Sequence, residues 1–123
     1  MAQTLHTRLL LCSRSSDSVL ALQREILRNS GYEAVATASK EEIQERIENT
    51  DFDVIILNHT LSFADRKALA RKTKQRNPNC GVMVLHHSGS LGNPCVDLAV
   101  DSRAGVQPML QTLKRIEAMQ HAR

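Results

Sequence analysis

Phe52-Asp53-Val54-Ile55-Ile56-Leu57 carries the clearest strand signal in the sequence. Its last four residues are all large and aliphatic, so the run is apolar at nearly every position. A near-continuous run of this kind is typical of a strand at the centre of a parallel sheet, where both faces are buried. The stretch therefore predicts a central strand, and the polar residue Asn58 follows it directly.

The chain before this stretch predicts two more strands with a helix between them. Residues 9–12 are a short apolar run that leads into a polar loop, and residues 33–37 predict a brief second strand. From Asp17 or Ser18 onward, apolar residues recur at helical spacing, and we expect them to face the core. They are Val19, Leu22 and Ile26, with Leu20 and Leu27 widening the stripe. Gly31 is placed for a left-handed helix cap.

A second helix is predicted between the second strand and the central one. Ser39-Lys40-Glu41-Glu42 matches a capping box, in which the Ser39 hydroxyl accepts from the Glu42 amide and the Glu42 side chain returns the bond. Ile43 and Ile47 share one face of this helix, which is expected to end near Asn49.

The chain after the central strand continues the alternation. A third helix is predicted over residues 64–76, with Ala68 and Leu69 inward, and Asn77-Pro78 ends it. Residues 82–85 predict a fourth buried strand, residues 87–94 a loop, and residues 95–100 either a short helix or a fifth strand. A last helix is predicted over residues 106–119. Its inward residues are Leu110, Leu113 and Ile116.

This alternation predicts an α/β fold with helices on both faces of a parallel sheet. Right-handed crossovers leave few arrangements, and we expect a five-stranded, doubly wound sheet with strand order 2-1-3-4-5. The 123 residues suit a single domain with one core. We expect its ordered part to span about residues 7–119 of the 1–123 total.

Composition excludes several classes of protein. Hydrophobic residues make up 41% and charged residues 24%, which is ordinary for a globular domain. Aromatic residues make up only 2%, which argues against a platform that stacks single-stranded bases. The sequence has neither an apolar run long enough to span a membrane nor a secretory signal, so we expect a cytoplasmic protein. The cysteines are three and widely spaced, and reduced, mostly buried thiols are expected: Cys12, Cys80 and Cys95.

Two segments resemble the response-regulator receiver family. They are residues 25–33, similar to the end of that family's first helix, and residues 52–57, similar to its third strand. The resemblance covers nearly the whole chain and implies the flavodoxin-like fold of CheY-like domains. In the family the third strand ends on an aspartate that accepts a phosphoryl group, whereas Asn58 stands at that position here.

The other pocket positions implied by the resemblance also depart from the family. The acidic pair after the first strand falls on Ser13-Arg14 or on Arg14-Ser15. His86 replaces the Ser or Thr that ends the fourth strand. The lysine that ends the fifth strand falls near Ser102 or Arg103. The segment between His86 and Ser102 is short, so the fourth helix of the family is expected to be one turn or missing.

These departures predict a degenerate, pseudo-receiver pocket. A carboxamide is a poor nucleophile, so Asn58 cannot form an acyl phosphate. Magnesium prefers carboxylate ligands, and a guanidinium about 4 Å from the ion would repel it by roughly 4 kcal/mol at an intermediate dielectric. We therefore expect no Mg²⁺, no other cofactor, no phosphotransfer and no enzyme activity. A structural role for Asn58, in which it satisfies the strand end by hydrogen bonds, is the simpler interpretation; a role in binding a partner or a small ligand stays open.

The third helix is unusually basic, with one acidic residue, Asp65, among its cations: Arg66, Lys67, Arg71, Lys72, Lys74 and Arg76. A solvated helix face is the simpler interpretation. A face that binds an anionic partner is the sharper one, and phosphate contacts would make such binding strongly salt-dependent. The net charge of +3 is too small to decide between them.

The expected function is a phosphorylation-independent module of two-component or phosphorelay-type signalling that acts by protein–protein interaction with an unknown partner. Two alternatives stay open: a binder of nucleic acid or another polyanion through the basic third helix, and a live receiver with a non-standard phosphoacceptor. A metal site of His59, His86 and His87 with Cys80 or Cys95 has little support, because the spacing is unspecific. A hydrolytic Ser–His pair lacks a nucleophile elbow.

Overall fold

The computed structural model describes residues 7–14, 18–86, 95–101 and 105–121, and these form five strands and four helices. The strands are β1 (Arg8–Cys12), β2 (Glu33–Thr37), β3 (Val54–Leu57), β4 (Gly81–His86) and β5 (Leu98–Asp101). The helices are α1 (Ser18–Asn29), α2 (Lys40–Asn49), α3 (Phe63–Arg76) and α4 (Val106–His121). No helix within these ranges is long and apolar enough to cross a bilayer.

All five strands are parallel and lie in the order β2-β1-β3-β4-β5, which confirms the predicted topology. Cys12 lies opposite Thr37 on one side and Leu57 on the other, and Leu57 lies opposite Val84. The ends of β1 and β3 are therefore level, and β4 extends two residues further, to His86. We call the edge at which the strands end the carboxyl edge, and the opposite one the amino edge.

The core lies in two layers, one on each face of the sheet. In β3, Ile55 and Leu57 point to the layer under α2 and α3, while Val54 and Ile56 point to the layer under α1 and α4. All four are at most 2% exposed. Helices on both faces explain why this strand has no polar side.

Helix α1 turns a different side to the core than its sequence predicted. Leu20 and Leu27 are buried, whereas Val19 is 53% and Leu22 60% exposed, and Ile26 is half-buried. Leu20 and Leu27 are seven residues apart, which is two helical turns, so they lie on the same side of α1, the side that packs against the sheet. The prediction that Val19, Leu22 and Ile26 face the core is wrong because α1 carries two apolar stripes, and periodicity cannot choose between them.

Helix α3 differs from its prediction in one residue at its start and in one inward residue. It begins at Phe63, where the Ser62 hydroxyl accepts from the Asp65 amide at 3.1 Å. Leu69 is buried as predicted, but Ala68 is exposed and Ala70 takes its place in the core. An alanine is small enough to lie on either side, so it carries little directional signal.

Helices α2 and α4 follow their predictions more closely. Ile43 and Ile47 are buried, and the Ser39 hydroxyl accepts from the Glu42 amide at 3.2 Å. The predicted return bond from the Ser39 amide to the Glu42 carboxylate is not among the hydrogen bonds of the described residues, and that carboxylate lies 3.8 Å from Arg46. Helix α4 extends to His121. Its buried apolar residues are Met109, Leu113 and Ile116, while the predicted Leu110 is half-buried.

The ambiguous segment before α4 forms the fifth strand, β5. Cys95 and Val96, just ahead of it, pack against the core layer under α2 and α3. Asp97 holds the entry to the strand, since its Oδ2 accepts from the Val82 amide at 2.8 Å and from Lys74 Nζ at 2.7 Å. The described residues contain no helix between β4 and β5, in line with the predicted short or missing fourth helix; residues 87–94 lie outside them.

Candidate functional site

The candidate site lies at the carboxyl edge, where parallel α/β sheets usually bind their ligands. Ser13 follows β1, Asn58 follows β3, and His86 ends β4. The structure thus brings three of the predicted pocket residues to the ends of neighbouring strands. The predicted residues Ser15, Ser102 and Arg103 lie outside the described part of the chain.

The Asn58 side chain is engaged at both ends of its amide. Its Nδ2 donates to Gln23 Oε1 of α1 at 2.9 Å, and its Oδ1 accepts from the His59 amide at 2.8 Å. The Asn58 backbone amide also donates to the Cys12 carbonyl at 2.9 Å. The residue is only 4% exposed, so these bonds satisfy a buried polar group and fix its orientation.

Ser13 is joined to the loop after β3 through Thr60. The two hydroxyl oxygens are 2.8 Å apart, and Thr60 Oγ1 also accepts from the Arg14 backbone amide at 3.0 Å. Ser13 itself is 1% exposed, and its amide donates to the Thr37 carbonyl at 3.1 Å. Short neutral hydroxyls therefore link the ends of β1 and β3.

Arg14 is exposed, and its positive charge acts on the Asp65 carboxylate at the start of α3. The hydrogen bond from Lys40, 3.1 Å away, lowers the pKa of the Asp65 carboxyl, and Ser62 and Arg14 act in the same direction. Asp65 therefore stays ionised in a cationic setting. The carboxyl edge between β1 and α3 thus presents a guanidinium, an ammonium and one carboxylate that is already paired.

Among the described residues, the donor set around Asn58 does not fit a magnesium ion. Ser13, Asn58 and Thr60 contribute hydroxyls and an amide, and no carboxylate, although hard dications require oxygen ligands that offset their charge. Across the described ranges, no three His, Cys, Asp or Glu side chains are grouped as metal ligands. That result includes His59, His86, Cys80 and Cys95; His87 lies outside those ranges.

The buried thiols are poor ligands and poor nucleophiles. All three cysteines are free; Cys12 and Cys80 are buried and Cys95 is half-buried. Burial raises the pKa of Cys80 to about 12 and also raises the pKa of Cys12. Both thiols are therefore protonated at neutral pH, and the thiolate is the reactive form.

Comparison with known proteins identifies the fold. No family model and no curated protein sequence matches the chain. Among solved structures, a receiver domain protein from Methanospirillum hungatei is 20% identical, with a TM-score of 0.84 over 96% of this chain and 98% of that one. The fold is that of CheY-like receiver domains.

Two other structures have the same fold. The chemotaxis protein CheY4 of Vibrio cholerae is 19% identical, with a TM-score of 0.75 over 91% of this chain and 99% of that chain. The response regulator TrrA of Thermotoga maritima, solved with Mg²⁺ and BeF, is 17% identical, with a TM-score of 0.78 over 89% and 98% of the two chains. At such identities the likeness establishes the receiver fold alone.

Gln23 and Thr60 are site residues that the sequence did not reveal. Each reaches the pocket through the receiver fold: Gln23 lies 35 residues from Asn58 in sequence, and Thr60 lies 47 from Ser13. A weak signal exists in each case. Gln23 is a polar interruption between the apolar stripes of α1, and Thr60 follows closely after the end of β3.

An apolar groove opens beside the pocket, between α1 and the start of α4. It encloses about 180 Å³, and Gln23 forms part of its wall. The exposed side chains Val19 and Leu22 line it on the α1 side, and Val106 and Met109 line it on the α4 side. The outward stripe of α1 is therefore one wall of a groove that touches the Asn58 hydrogen-bond network.

The six cations of α3 divide into two groups. Three form ion pairs with other elements: Lys72 with Glu48, Lys74 with Asp97, and Arg76 with Asp51. Of the others, Arg66 is half-buried, and Lys67 and Arg71 are exposed. Half of the predicted basic face is therefore neutralised within the molecule.

Proposed function

We propose that this chain is a pseudo-receiver, a module of two-component or phosphorelay-type signalling that works by binding a protein and is not phosphorylated. The observation that carries the proposal is the Asn58 amide at the end of β3, bonded to Gln23 on one side and to the His59 amide on the other. The position that a receiver would use for chemistry instead holds a neutral hydrogen-bonded group. The module is then neither an enzyme nor a magnesium protein.

The charges around Asn58 support this proposal. A phosphoryl donor reaches a receiver with a dication, and carboxylates must hold that ion. Ser13 offers a hydroxyl shared with Thr60, and Arg14 adds a positive charge beside it. A single substitution could be a regulatory variant, but the changes at Ser13, Arg14 and Asn58 act together against Mg²⁺ binding.

The apolar groove supports the binding of a protein. Exposed aliphatic side chains that line a concave surface favour contact with an apolar partner surface. One structure that this chain resembles, 17% identical with a TM-score of 0.76, is of the histidine kinase ThkA in complex with the response regulator TrrA. By analogy, the partner of this chain is a signalling protein that places apolar side chains between α1 and α4.

Incubation with acetyl phosphate and Mg²⁺, followed by intact mass measurement, tests the loss of phosphorylation. We expect no added phosphoryl group and no saturable Mg²⁺ binding up to millimolar concentration. A live receiver treated in parallel confirms that the phosphodonor works. An added phosphoryl group would instead support a live receiver with a non-standard acceptor, and peptide mapping would locate it.

A pair of variants tests binding through the groove. Leu22→Glu places a charge on the apolar wall and is expected to abolish partner binding, while the exposed position of Leu22 leaves folding intact. Met119→Glu is the matched control, because Met119 is 38% exposed on α4 but does not line the groove. Equal partner binding by both variants would contradict this part of the proposal.

The polyanion alternative has less support. Lys72, Lys74 and Arg76 are each within ion-pair distance of a carboxylate, so they offer little free charge to a nucleic acid. Counterion release requires several phosphate contacts, each made by a free cation. Binding to heparin or DNA that weakens steeply with salt would nevertheless revive this alternative.

A further inference from the structure

Helices α2 and α3 lie side by side and are held level by three ion pairs. Lys40 pairs with Asp65 at the start of the two helices, and Arg76 pairs with Asp51 at their end, both at 3.1 Å. Glu48 and Lys72 form the third pair. The paired positions are 25, 24 and 25 residues apart (65−40, 72−48, 76−51). The two helices therefore run parallel, and a residue of α2 is level with the residue about 25 positions later.

Each helix also carries charges on the side that points away from the sheet. In α2, Glu45 lies two residues after the buried Ile43 and two before the buried Ile47, which at 100° per residue places it on the opposite side. Glu41 lies one turn before Glu45, and both are exposed. The outward side of α2 is therefore acidic.

The outward side of α3 is basic by the same construction. Arg71 lies between the buried Leu69 and Thr73 and therefore points away from the core. Lys67 lies one turn before it, and both are exposed. In the described ranges, these two cations form no ion pair, and neither do the two outward carboxylates of α2, Glu41 and Glu45.

These charges stand at matching heights. Given the offset of about 25 residues, Glu45 is nearly level with Arg71, and Glu41 is nearly level with Lys67. A two-fold axis that runs parallel to both helices would lay α2 of one molecule over α3 of another. Every acidic residue of the face then meets a basic one, twice per dimer, as an isologous interface requires.

We propose that the outward face of α2 and α3 binds a second copy of this chain. The face is self-complementary, whereas a polyanion would be repelled by its acidic half. Ala64 and Ala68 are small and exposed on α3, and the exposed Phe63, one turn before Lys67, adds apolar surface at the start of the helix. This dimer is independent of the Asn58 pocket and of the groove between α1 and α4.

The dimer is weak and sensitive to salt. Helices of 10 and 14 residues are about 15 and 21 Å long and offer on the order of 400 Å² per copy, about half of a standard interface. Its contacts are exposed ion pairs, which salt screens over a Debye length of about 8 Å at physiological ionic strength. Such a dimer forms at high protein concentration and dissociates as salt is added.

Sedimentation velocity of the full chain with charge-reversal variants tests the proposal. In about 20 mM NaCl we expect the wild type to dimerise, and in about 500 mM NaCl the dissociation constant to rise by about tenfold or more. Glu45→Arg and Arg71→Glu are each expected to be monomeric, because each places like charges opposite each other. Mixing the two variants is expected to restore the dimer, since position 45 of either variant then faces an opposite charge at position 71 of the other.

The control is Glu25→Arg, an exposed charge reversal on α1, on the other face of the sheet, which is expected to dimerise as the wild type does. A wild type that stays monomeric at low salt overturns the proposal. So does a Glu45→Arg variant that dimerises unchanged, or a mixture of the two variants that stays monomeric. Heparin binding that Glu45→Arg strengthens and Arg71→Glu abolishes, without a dimer, would assign the face to a polyanion instead.

Discussion

The two edges of the sheet are held together by different kinds of hydrogen bond. At the amino edge the bonds are charge-assisted and connect distant elements. Lys74 of α3 reaches Asp97 before β5, Asp53 Oδ2 accepts from the Arg8 amide at 2.8 Å, and Glu117 of α4 accepts from Tyr32 at 2.6 Å. At the carboxyl edge the bonds between Asn58 and Gln23 and between Ser13 and Thr60 are neutral.

This difference separates stability from function. Hydrogen bonds to charged groups contribute more to stability than neutral ones, which mainly prevent the cost of burying an unsatisfied polar group. The amino edge is therefore expected to contribute more to stability than the bonds of Asn58 and Ser13 at the carboxyl edge. Substitutions at the two edges are expected to differ accordingly in their effect on stability.

Lys74→Met is expected to have the largest effect. Lys74 and Asp97 are only 19% and 14% exposed, so removing the ammonium leaves a mostly buried carboxylate without its counterion. The Cys80 carbonyl also loses the hydrogen bond that it accepts from Lys74 Nζ at 2.7 Å. We expect the free energy of unfolding to fall by about 3 kcal/mol, measured by urea denaturation.

The control for this variant is Lys67→Met, on the same helix but exposed. It removes the same charge and is expected to change the free energy of unfolding by less than about 0.5 kcal/mol. Equal losses in the two variants would show that the Lys74–Asp97 pair does not hold β5 to the sheet.

Tyr32→Phe is expected to have an intermediate effect that depends on pH. Burial, and then the hydrogen bond to the Glu117 carboxylate, raises the pKa of Tyr32 above its ordinary value of 10.0. A phenol whose pKa is raised by folding stabilises the protein below pH 10, and this contribution is lost as the pH rises above 10. The variant is expected to lose about 1.5 kcal/mol at neutral pH.

Measurement of the melting temperature from pH 8 to pH 11 checks the titration of Tyr32. The wild type is expected to lose stability above pH 10, and Tyr32→Phe to lose less over the same interval. Parallel curves for the two proteins would mean that another group causes the alkaline transition.

The sequence predicted the sheet well because one strand carries an unmistakable signal. The apolar run that ends at Leu57 can lie only between two helical layers, and the alternation of elements then fixes the strand order. The position of Asn58 at the end of this strand followed directly. What depends on one short segment and its neighbours was therefore predictable.

The hydrogen-bond network of the candidate site was not predictable, because its members are distant in sequence. Gln23 became part of the site only when α1 turned its Leu20 and Leu27 side to the core and left the Val19 and Leu22 side outward. The choice between these stripes is made by packing against the sheet. The same choice created the groove, so one wrong orientation hid both features.

Gln23→Leu is expected to have the smallest effect on stability and the most specific one. It keeps the size of the side chain but leaves Asn58 Nδ2 without its acceptor at 2.9 Å, so we expect a loss of about 1 kcal/mol. Gln111→Leu on the exposed side of α4 is the matched control and should leave stability unchanged. In the double variant Gln23→Leu with Asn58→Leu, both polar partners are replaced by apolar groups, and its cost should be less than the sum of the single costs. A neutral bond at the carboxyl edge mainly satisfies two buried groups, so removing both groups should cost less than removing each separately. If the losses of unfolding free energy in the two single variants add up to that of the double variant, Gln23 and Asn58 are not coupled.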